Sequence, residues 1–542
     1  EGVARQHGGS LLGLPVLDEA HRKLVTLAVA ELLALVAGVF FVGLTLLWRR
    51  PLAALVPIGA VGVGVIWLIG LVGWVGVPLG GPMLALVPLV AVLGLTDAIH
   101  VAWRLSDVIE ADEPTRARAL GEVARACAWT SLTTGAGLLA LWVTDSALLH
   151  RFGTWGAVGM ALVFVTGVAL PASLILRFPG LAPRPLRLRP LGRLPRVSRG
   201  VAALIVVAGL AGLGAMAATV QVDLVAGNDL PRHHPVLQRH LSHDRSLGGL
   251  HPVRIVVTPR APKGTRDPDA FLGLVAVQRA AVNHPAVGSV VSFADAVLVS
   301  GRAGRRTVEQ IAGRAGDRRP RRLRRFERAR ERALEAAGQL TALPLDDERR
   351  WTLHLRLHHG PASQWADLFR TVRRASGDGL RVAFEGYPAQ AVRTRARLPR
   401  DARAVFGIAG GVALLCLGLL TRRASALVAV PLVAATGLAV LAGLALIGVP
   451  LSHANLFALS VAIGVAIDPW IHLVAARRDV DGAVAGSVLV GQALVALGLL
   501  LLGTSEVTTL AQTGPVVALA VVLNGIVTAV LWLSGRSRAA DR

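Results

Sequence analysis

Lysine is almost absent from this 542-residue chain. Lys23 and Lys263 are the only two, so arginine supplies 55 of the 57 basic residues behind a formal net charge of +23. Such a skew reads as compositional bias. No basic stripe is interleaved with stacking aromatics, so nucleic-acid binding is not expected. Cysteine is equally scarce. Cys127 and Cys416 fall at or inside apolar segments, which argues against a disulfide framework and against cysteine-based metal or redox chemistry. No Gly-x-Ser-x-Gly occurs, so Ser131 and Ser460 sit in no nucleophile elbow. Walker-type glycine-rich loops are absent too, which removes ATP as the expected energy source. The chain is not expected to be an enzyme, and no cofactor is expected.

Apolar residues are what the chain has in excess: 53% are hydrophobic and the mean hydropathy is +0.58. That composition belongs to a polytopic helical membrane protein. Eleven runs are long enough to span a bilayer: Leu32–Trp48, Leu52–Val75, Pro82–Trp103, Ala126–Val143, Trp155–Leu176, Val201–Val220, Ala404–Leu420, Ala426–Ile447, Ala454–Ala475, Ala483–Leu502 and Gly514–Leu533. Basic residues of the short connections set the orientation. Arg49, Arg50, Arg104, Arg116, Arg118, Arg125, the cluster from Arg177 to Arg199, Arg422, Arg423, Arg477, Arg478 and the tail arginines share one side, whereas the opposite short loops hold only Arg151. The first side is therefore cytoplasmic, with the C-terminus. The long polar segment 221–403 lies outside.

Two of these spans carry an acid–imidazole pair. The first reads Gly94-Leu95-Thr96-Asp97-Ala98-Ile99-His100, and the second runs from Gly464 through Asp468-Pro469-Trp470-Ile471 to His472. Spacings of three and four residues put each Asp and His on one helix face. Ionisable groups at that depth are expensive, and mark function by default. A carboxylate beside an imidazole can take up and release a proton near neutral pH. The hydroxyls of Thr96, Thr130, Ser131, Thr133 and Thr134 could carry that proton onward. Pro469 leaves the carbonyl of Val465 without its helical partner, which loosens the turn at Asp468. A second reading has each pair acting only as glue between helices. A metal at Asp468 and His472 lacks a third ligand nearby in sequence.

The pair is duplicated because the chain is. At an offset of about 372, Gly13-Leu14-Pro15 matches Gly386-Tyr387-Pro388, Arg49-Arg50 matches Arg422-Arg423, Gly76–Leu79 matches Gly448–Leu451, and Asp97 and His100 match Asp468 and His472. Both copies run in the same direction, so the repeat axis is normal to the membrane, with the two pairs facing each other across it. The divisions expected are 1–25, the end of a first outside domain; 26–178, a five-helix repeat; 179–200, an Arg/Pro-rich linker; 201–220, a leading helix; 221–403, an outside α+β domain; 404–535, a second five-helix repeat; and 536–542, a tail. The first copy lacks the leading helix and outside domain of the second. With Glu1 in place of Met, this implies a chain truncated at its N-terminus.

Within 221–403 the pattern switches to strands at Val253–Val257, Val287–Val291, Trp351–Leu357 and Leu380–Phe384. Helices are expected at Asp269–Asn283, Leu323–Leu340 and Ser363–Ala375, with Tyr387–Arg403 leading into the membrane and Gly301–Pro320 a loop. Units of that size suggest split βαβ pairs. His233, His234, His240, His243, Asp244 and His251 form either a metal site or a polar loop after the membrane exit. The arginines from Arg318 to Arg330 read as a solvated helix face paired with Glu327 and Glu331, or as a surface for anionic membrane lipids.

These features together resemble the resistance–nodulation–division superfamily, most closely its MMPL-type exporters with sterol-sensing-like membrane domains. The resemblance rests on Gly94–His100, Gly464–His472, Thr130-Ser131-Leu132-Thr133-Thr134 with Phe152-Gly153, Gly386-Tyr387-Pro388, Asn228-Asp229-Leu230-Pro231 and Val287–Asp295. It implies proton-driven export of a lipidic or other hydrophobic molecule from the inner membrane, as a monomer or homo-oligomer or with an accessory periplasmic protein. Related membrane domains act instead as sterol-type lipid sensors or assist protein export. One departure stands out. The counterpart of Thr130–Thr134 in the second half is Gly491-Gln492-Ala493-Leu494-Val495, which is largely apolar, so the two halves of the relay are not expected to be equivalent.

Overall fold

The apolar runs become helices because a backbone in lipid must satisfy its own hydrogen bonds. The computed structural model describes residues 13–77, 81–184, 198–225, 230–295, 327–328, 331–332, 346–347, 349–421, 429–475 and 483–535. The described chain divides into two compact units, one of residues 19–222 and 398–535, the other chiefly of residues 232–397. In the first half of the larger unit lie α1 (Leu14–Trp48), α2 (Pro51–Trp74), α3 (Gly81–Asp107), α4 (Glu113–Leu139), α5 (Ala147–Arg177) and α6 (Arg199–Ala217). The first helix starts well before the apolar run at Leu32, and continues through Glu31 as one 35-residue element.

The smaller unit contains α7 (Pro235–Ser246), β1 (His251–Pro259), α8 (Pro268–Val282), β2 (Val287–Val291), β3 (Asp346–Asp347), β4 (Arg350–Leu357), α9 (Ala362–Ser376) and β5 (Leu380–Glu385). The strand order is β2-β4-β1-β5, with every neighbouring pair antiparallel and β3 paired to β4. Two βαβ units, β1–α8–β2 and β4–α9–β5, thus interleave, as the split pattern requires. Alternation sets the core face of the sheet. Val253, Ile255 and Val257 of β1 point inward with Trp351, Leu353 and Leu355 of β4, against Phe271 and Leu274 of α8 and Trp365 and Leu368 of α9. All four expected strands are present, with the helix before β2 and those on either side of β5. The expected loop 301–320, most of the charged helix 323–340, most of the arginine run and Asn228-Asp229 lie outside the described residues; Glu327, Arg328, Glu331 and Arg332 are helical.

Gly386 turns the chain from β5 into α10 (Tyr387–Thr421) at φ +109°, where a Cβ would lie 2.9 Å from the carbonyl oxygen of Pro252. Then follow α11 (Val430–Leu446), α12 (His453–Ala466), α13 (Asp468–Ala475), α14 (Ala483–Leu502) and α15 (Thr508–Gly535). The expected single span from Ala454 to Ala475 is thus divided at Ile467, beside the proline that cannot donate to Val465. Among the described residues nine helices are long and apolar enough to cross a membrane, and two more apolar ones, Val430–Leu446 and Val488–Leu502, are shorter. The protein is a multi-pass membrane protein.

The repeat extends to the backbone. Gly76 ends α2 at φ +73° and Gly448 ends α11 at φ +67°. In both places the amide three residues beyond the last helical residue closes back by five positions, Val77 to the Val72 carbonyl at 3.1 Å and Val449 to the Leu444 carbonyl at 2.9 Å. The leading helix α6 packs on α11 and α15. Two spans are enclosed far more than the rest. In Met83–Asp107 and Asn455–His472, 89% of the apolar window is inside the protein, against 11–61% for the other seven. These are the spans that carry Asp97 and Asp468.

Candidate functional site

α3 from the first half lies against α14 from the second, while α4 lies against α12 and α13. The close approach of α4 to α12 depends on glycine. A Cβ on Gly464 would stand 2.8 Å from the Cα of Thr134, and one on Gly137 would stand 3.0 Å from the carbonyl oxygen of Ser460. Ser460 donates its hydroxyl to the Gly137 carbonyl at the same crossing. Gly491 of α14 leaves room for the imidazole of His100, whose Nε2 would be 3.0 Å from a Cβ there.

These crossings bring both acid–imidazole pairs to one place. The rings of His100 and His472 lie with centroids 4.2 Å apart, tilted by 31°. Asp97, His100 and His472 are buried. A carboxylate oxygen of Asp97, the thiol of Cys127 and a ring nitrogen of His472 lie within 4.8 Å of one another. The acid of one repeat therefore approaches the imidazole of the other, a cross-relationship that spacing within one helix could not reveal. A cavity of about 20 Å³ lies between the pairs, lined by Thr96, Asp97, His100, Thr130, Ser131, Thr134, Asp468, Pro469 and His472 among others. That is room for a water molecule, with polar partners on several sides.

The hydroxyl cluster divides by task. Ser131 donates to Oδ2 of Asp97 at 2.7 Å and Thr130 donates to Oδ1 at 3.2 Å. Both sit on α4, so a neighbouring helix supplies the partners that a carboxylate at this depth requires. Thr134 lines the cavity. Thr96 lines it too, and its hydroxyl donates to the carbonyl of Leu93 at 2.9 Å. Thr133 is buried but outside the cavity lining, with its hydroxyl directed to the carbonyl of Thr130 at 2.9 Å. Asp468 is treated differently. The residue is half-buried, yet its Oδ1 is shut off from solvent and has no hydrogen-bond partner.

Sequence reading missed three polar groups here. Gln492 lines the cavity from α14; its run was read as apolar, and a single amide among Ala, Leu and Val carries little signal. The thiol of Cys127 points to the backbone carbonyl of Asp97 at 3.9 Å. Asn524, in the last helix, donates to the carbonyl of Ala466 and, at 3.0 Å, to the hydroxyl of Thr436. It thereby holds the end of α12 just ahead of the break before Asp468.

Neither a family model nor a curated protein matches the sequence. Solved structures do match. The chain is similar to SecDF, a translocon-associated membrane protein from Thermus thermophilus, with a TM-score of 0.56 and 12% identity over 95% of this chain and 63% of that one. It is also similar to a heavy metal efflux pump, with a TM-score of 0.58 and 15% identity over 95% of this chain and 67% of that one. Both likenesses are of fold: the chain shares the architecture of these two proteins. It spans about 63% of the length of SecDF.

Proposed function

We propose that the protein is a proton-driven exporter of a lipidic or other hydrophobic molecule, set in the inner membrane with its C-terminus in the cytoplasm. One observation carries this reading: acids and imidazoles on the two most enclosed spans, one from each repeat half, converge on one small polar cavity. Helix packing alone would be served better by apolar side chains, since an ionisable group costs several kcal/mol at such depth, about 2.5–3.5 kcal/mol on insertion scales. Protonation of Asp97 or Asp468 changes the charge between α3, α4 and α13, and a change of charge there biases one half of the bundle against the other. Ser131 and Thr130 hold Asp97, Thr96 and Thr134 face the cavity, and the two imidazoles meet between the halves. Neither covalent chemistry nor a bound cofactor enters this cycle. The protein works as a homo-oligomer or with an accessory periplasmic protein.

The test is proton flux in sealed vesicles under an imposed pH gradient, read with an internal pH dye, together with the lipid profile of cells with and without the protein. Asp468→Asn and Asp97→Asn keep shape and remove titration; each is expected to abolish coupled movement in folded protein. His100→Ala and His472→Ala are expected to be milder. Undiminished flux in the double Asp variant would leave the pairs as structural glue. A second reading, an accessory role in protein export, is favoured by the likeness to SecDF. It differs in outcome: the Asp variants would then slow protein translocation and leave the lipid profile unchanged.

A further inference from the structure

The histidine cluster in the smaller unit has a core that the sequence only half displayed. His240 on α7, His251 at the start of β1 and His359 just after β4 form a triangle, with ring centroids 5.6, 5.8 and 5.5 Å apart. One potential ligand nitrogen from each lies within 4.8 Å of the other two. His233, which is exposed, and His243, which is half-buried, belong to the same sequence cluster but lie outside the triangle. His359 was invisible as a member because 108 residues separate it from His251. Antiparallel pairing of β1 with β4 places His251 opposite Leu357, two residues ahead of His359.

The trio is buried in a way that leaves its chemistry unused. His240 and His251 are each 1% exposed. Both ring nitrogens of His240, and Nδ1 of His251, have no hydrogen-bond partner. The only contact within the trio is Nε2 of His251 to Nδ1 of His359, at 3.3 Å. A neutral imidazole has one donor and one acceptor, and burying them unpaired is unfavourable. Burial holds all three below the ordinary histidine range, and repulsion from the neighbouring imidazoles adds to it for His240 and His251, the latter at about 4. The rings are therefore neutral at pH 7, the form that ligates metal.

The surroundings fix the positions. Oδ1 of Asp244, one turn along α7 from His240, accepts the amides of Leu250 and His359, both at 3.1 Å, while its Oδ2 meets Nδ1 of His358 at 2.9 Å. A single carboxylate thus ties the helix to the strand ends that carry the other two histidines. Gly248 and Gly249, at φ +64° and +94°, make the tight turn that returns the chain from α7 into β1. The ring of Trp365 lies 5.3 Å from that of His251, tilted by 54°, and supplies an apolar wall.

From this arrangement we propose that His240, His251 and His359 bind one divalent transition-metal ion of the zinc type. Three imidazoles and an open fourth position are a ligand set for such an ion, with nitrogens at about 2.0–2.1 Å from it. Tetrahedral ligands at that radius stand about 3.3 Å apart, which is the separation of the His251 and His359 nitrogens. Asp244 acts as a positioning residue. This site lies outside the membrane spans and does not depend on the exporter reading.

The experiment is zinc titration of the purified full-length chain after chelator stripping, against a competing fluorescent chelator, with metal content measured after desalting. The expected result is one tightly held zinc per chain. X-ray absorption should show a shell of nitrogen and oxygen at about 2.0–2.1 Å with no sulfur. His240→Gln and His359→Gln should each weaken binding at least tenfold, and Asp244→Asn should weaken it about 10–100-fold. His243→Gln should bind like the parent. His359 is only partly buried, so its variant should fold even if His240→Gln does not. Absence of stoichiometric zinc in the parent protein, or equal binding by parent and folded His359→Gln, would overturn the proposal.

Discussion

Asp97 and Asp468 occupy equivalent places in the two repeats but are held by different means. Asp97 has both carboxylate oxygens engaged, by Thr130 and Ser131 of α4. Asp468 has a buried Oδ1 with no partner and stands instead at the first position of the short helix α13. One repeat engages its acid with hydroxyls of a neighbouring helix; in the other the acid stands at the break between two helices with one oxygen unpartnered.

That difference separates the hydroxyls by consequence. Ser131→Ala and Thr130→Ala remove direct partners of Asp97 and should shift the pH profile of proton flux and lower its maximum by about tenfold, the effect of losing about 1.4 kcal/mol. Thr133→Ala touches only a backbone carbonyl in its own helix and should leave the profile in place. Equal effects of Ser131→Ala and Thr133→Ala would remove the distinction.

Glycine at the α4–α12 crossing should be intolerant of a methyl group. Gly464→Ala places a Cβ 2.8 Å from the backbone Cα of Thr134, so a helix must shift. Destabilisation of about 1–3 kcal/mol is expected, read as thermal or denaturant unfolding in detergent. Gly525→Ala, with nothing within 4 Å of the added atom, should be neutral or slightly stabilising, because alanine is the better helix former.

Asn524 should matter more than its place in an apolar helix implies. Asn524→Leu removes its donation to the Ala466 carbonyl and to Thr436. The orphaned groups should cost about 1–3 kcal/mol. Hydrogen exchange should show the amides around Ile467–Ile471 less protected, and those of α3 unchanged.

Acid should loosen the smaller unit when it is free of metal. Burial keeps His251 at about 4, below the 6.5 of an exposed imidazole. The unfolded chain takes up a proton near pH 6.5 and the folded chain only near pH 4. The stability at stake is thus complete above pH 6.5 and lost as pH falls toward 4, on the order of 3 kcal/mol from this residue. Hydrogen exchange of the β1 and β4 amides at pH 7.0 and 4.5, corrected for intrinsic rates, measures it. His251→Gln should flatten the dependence.

Much of this was readable from residues. Apolar runs located the helices, alternation located the strands of the sheet, and the offset of about 372 paired Gly76 with Gly448 before both were seen at positive φ. The acid–imidazole pairs stood out because charge inside an apolar run has no packing rationale. What could not be read was placement across the chain. His472 beside Asp97, His359 beside His251, and Asn524 on Ala466 are contacts between segments remote in sequence, and no local period encodes them. The break at Ile467 lies between these cases: Pro469 announced a loosened turn, but its division of one span into two helices also involves Asn524 and the neighbours that hold each piece.

Perfect twofold duplication would make the two acids interchangeable. The interruption at Ile467 belongs to one copy only, since α3 passes through Asp97 unbroken. By making the copies unlike, it gives the pair what exact duplication would withhold: two acids that can be told apart.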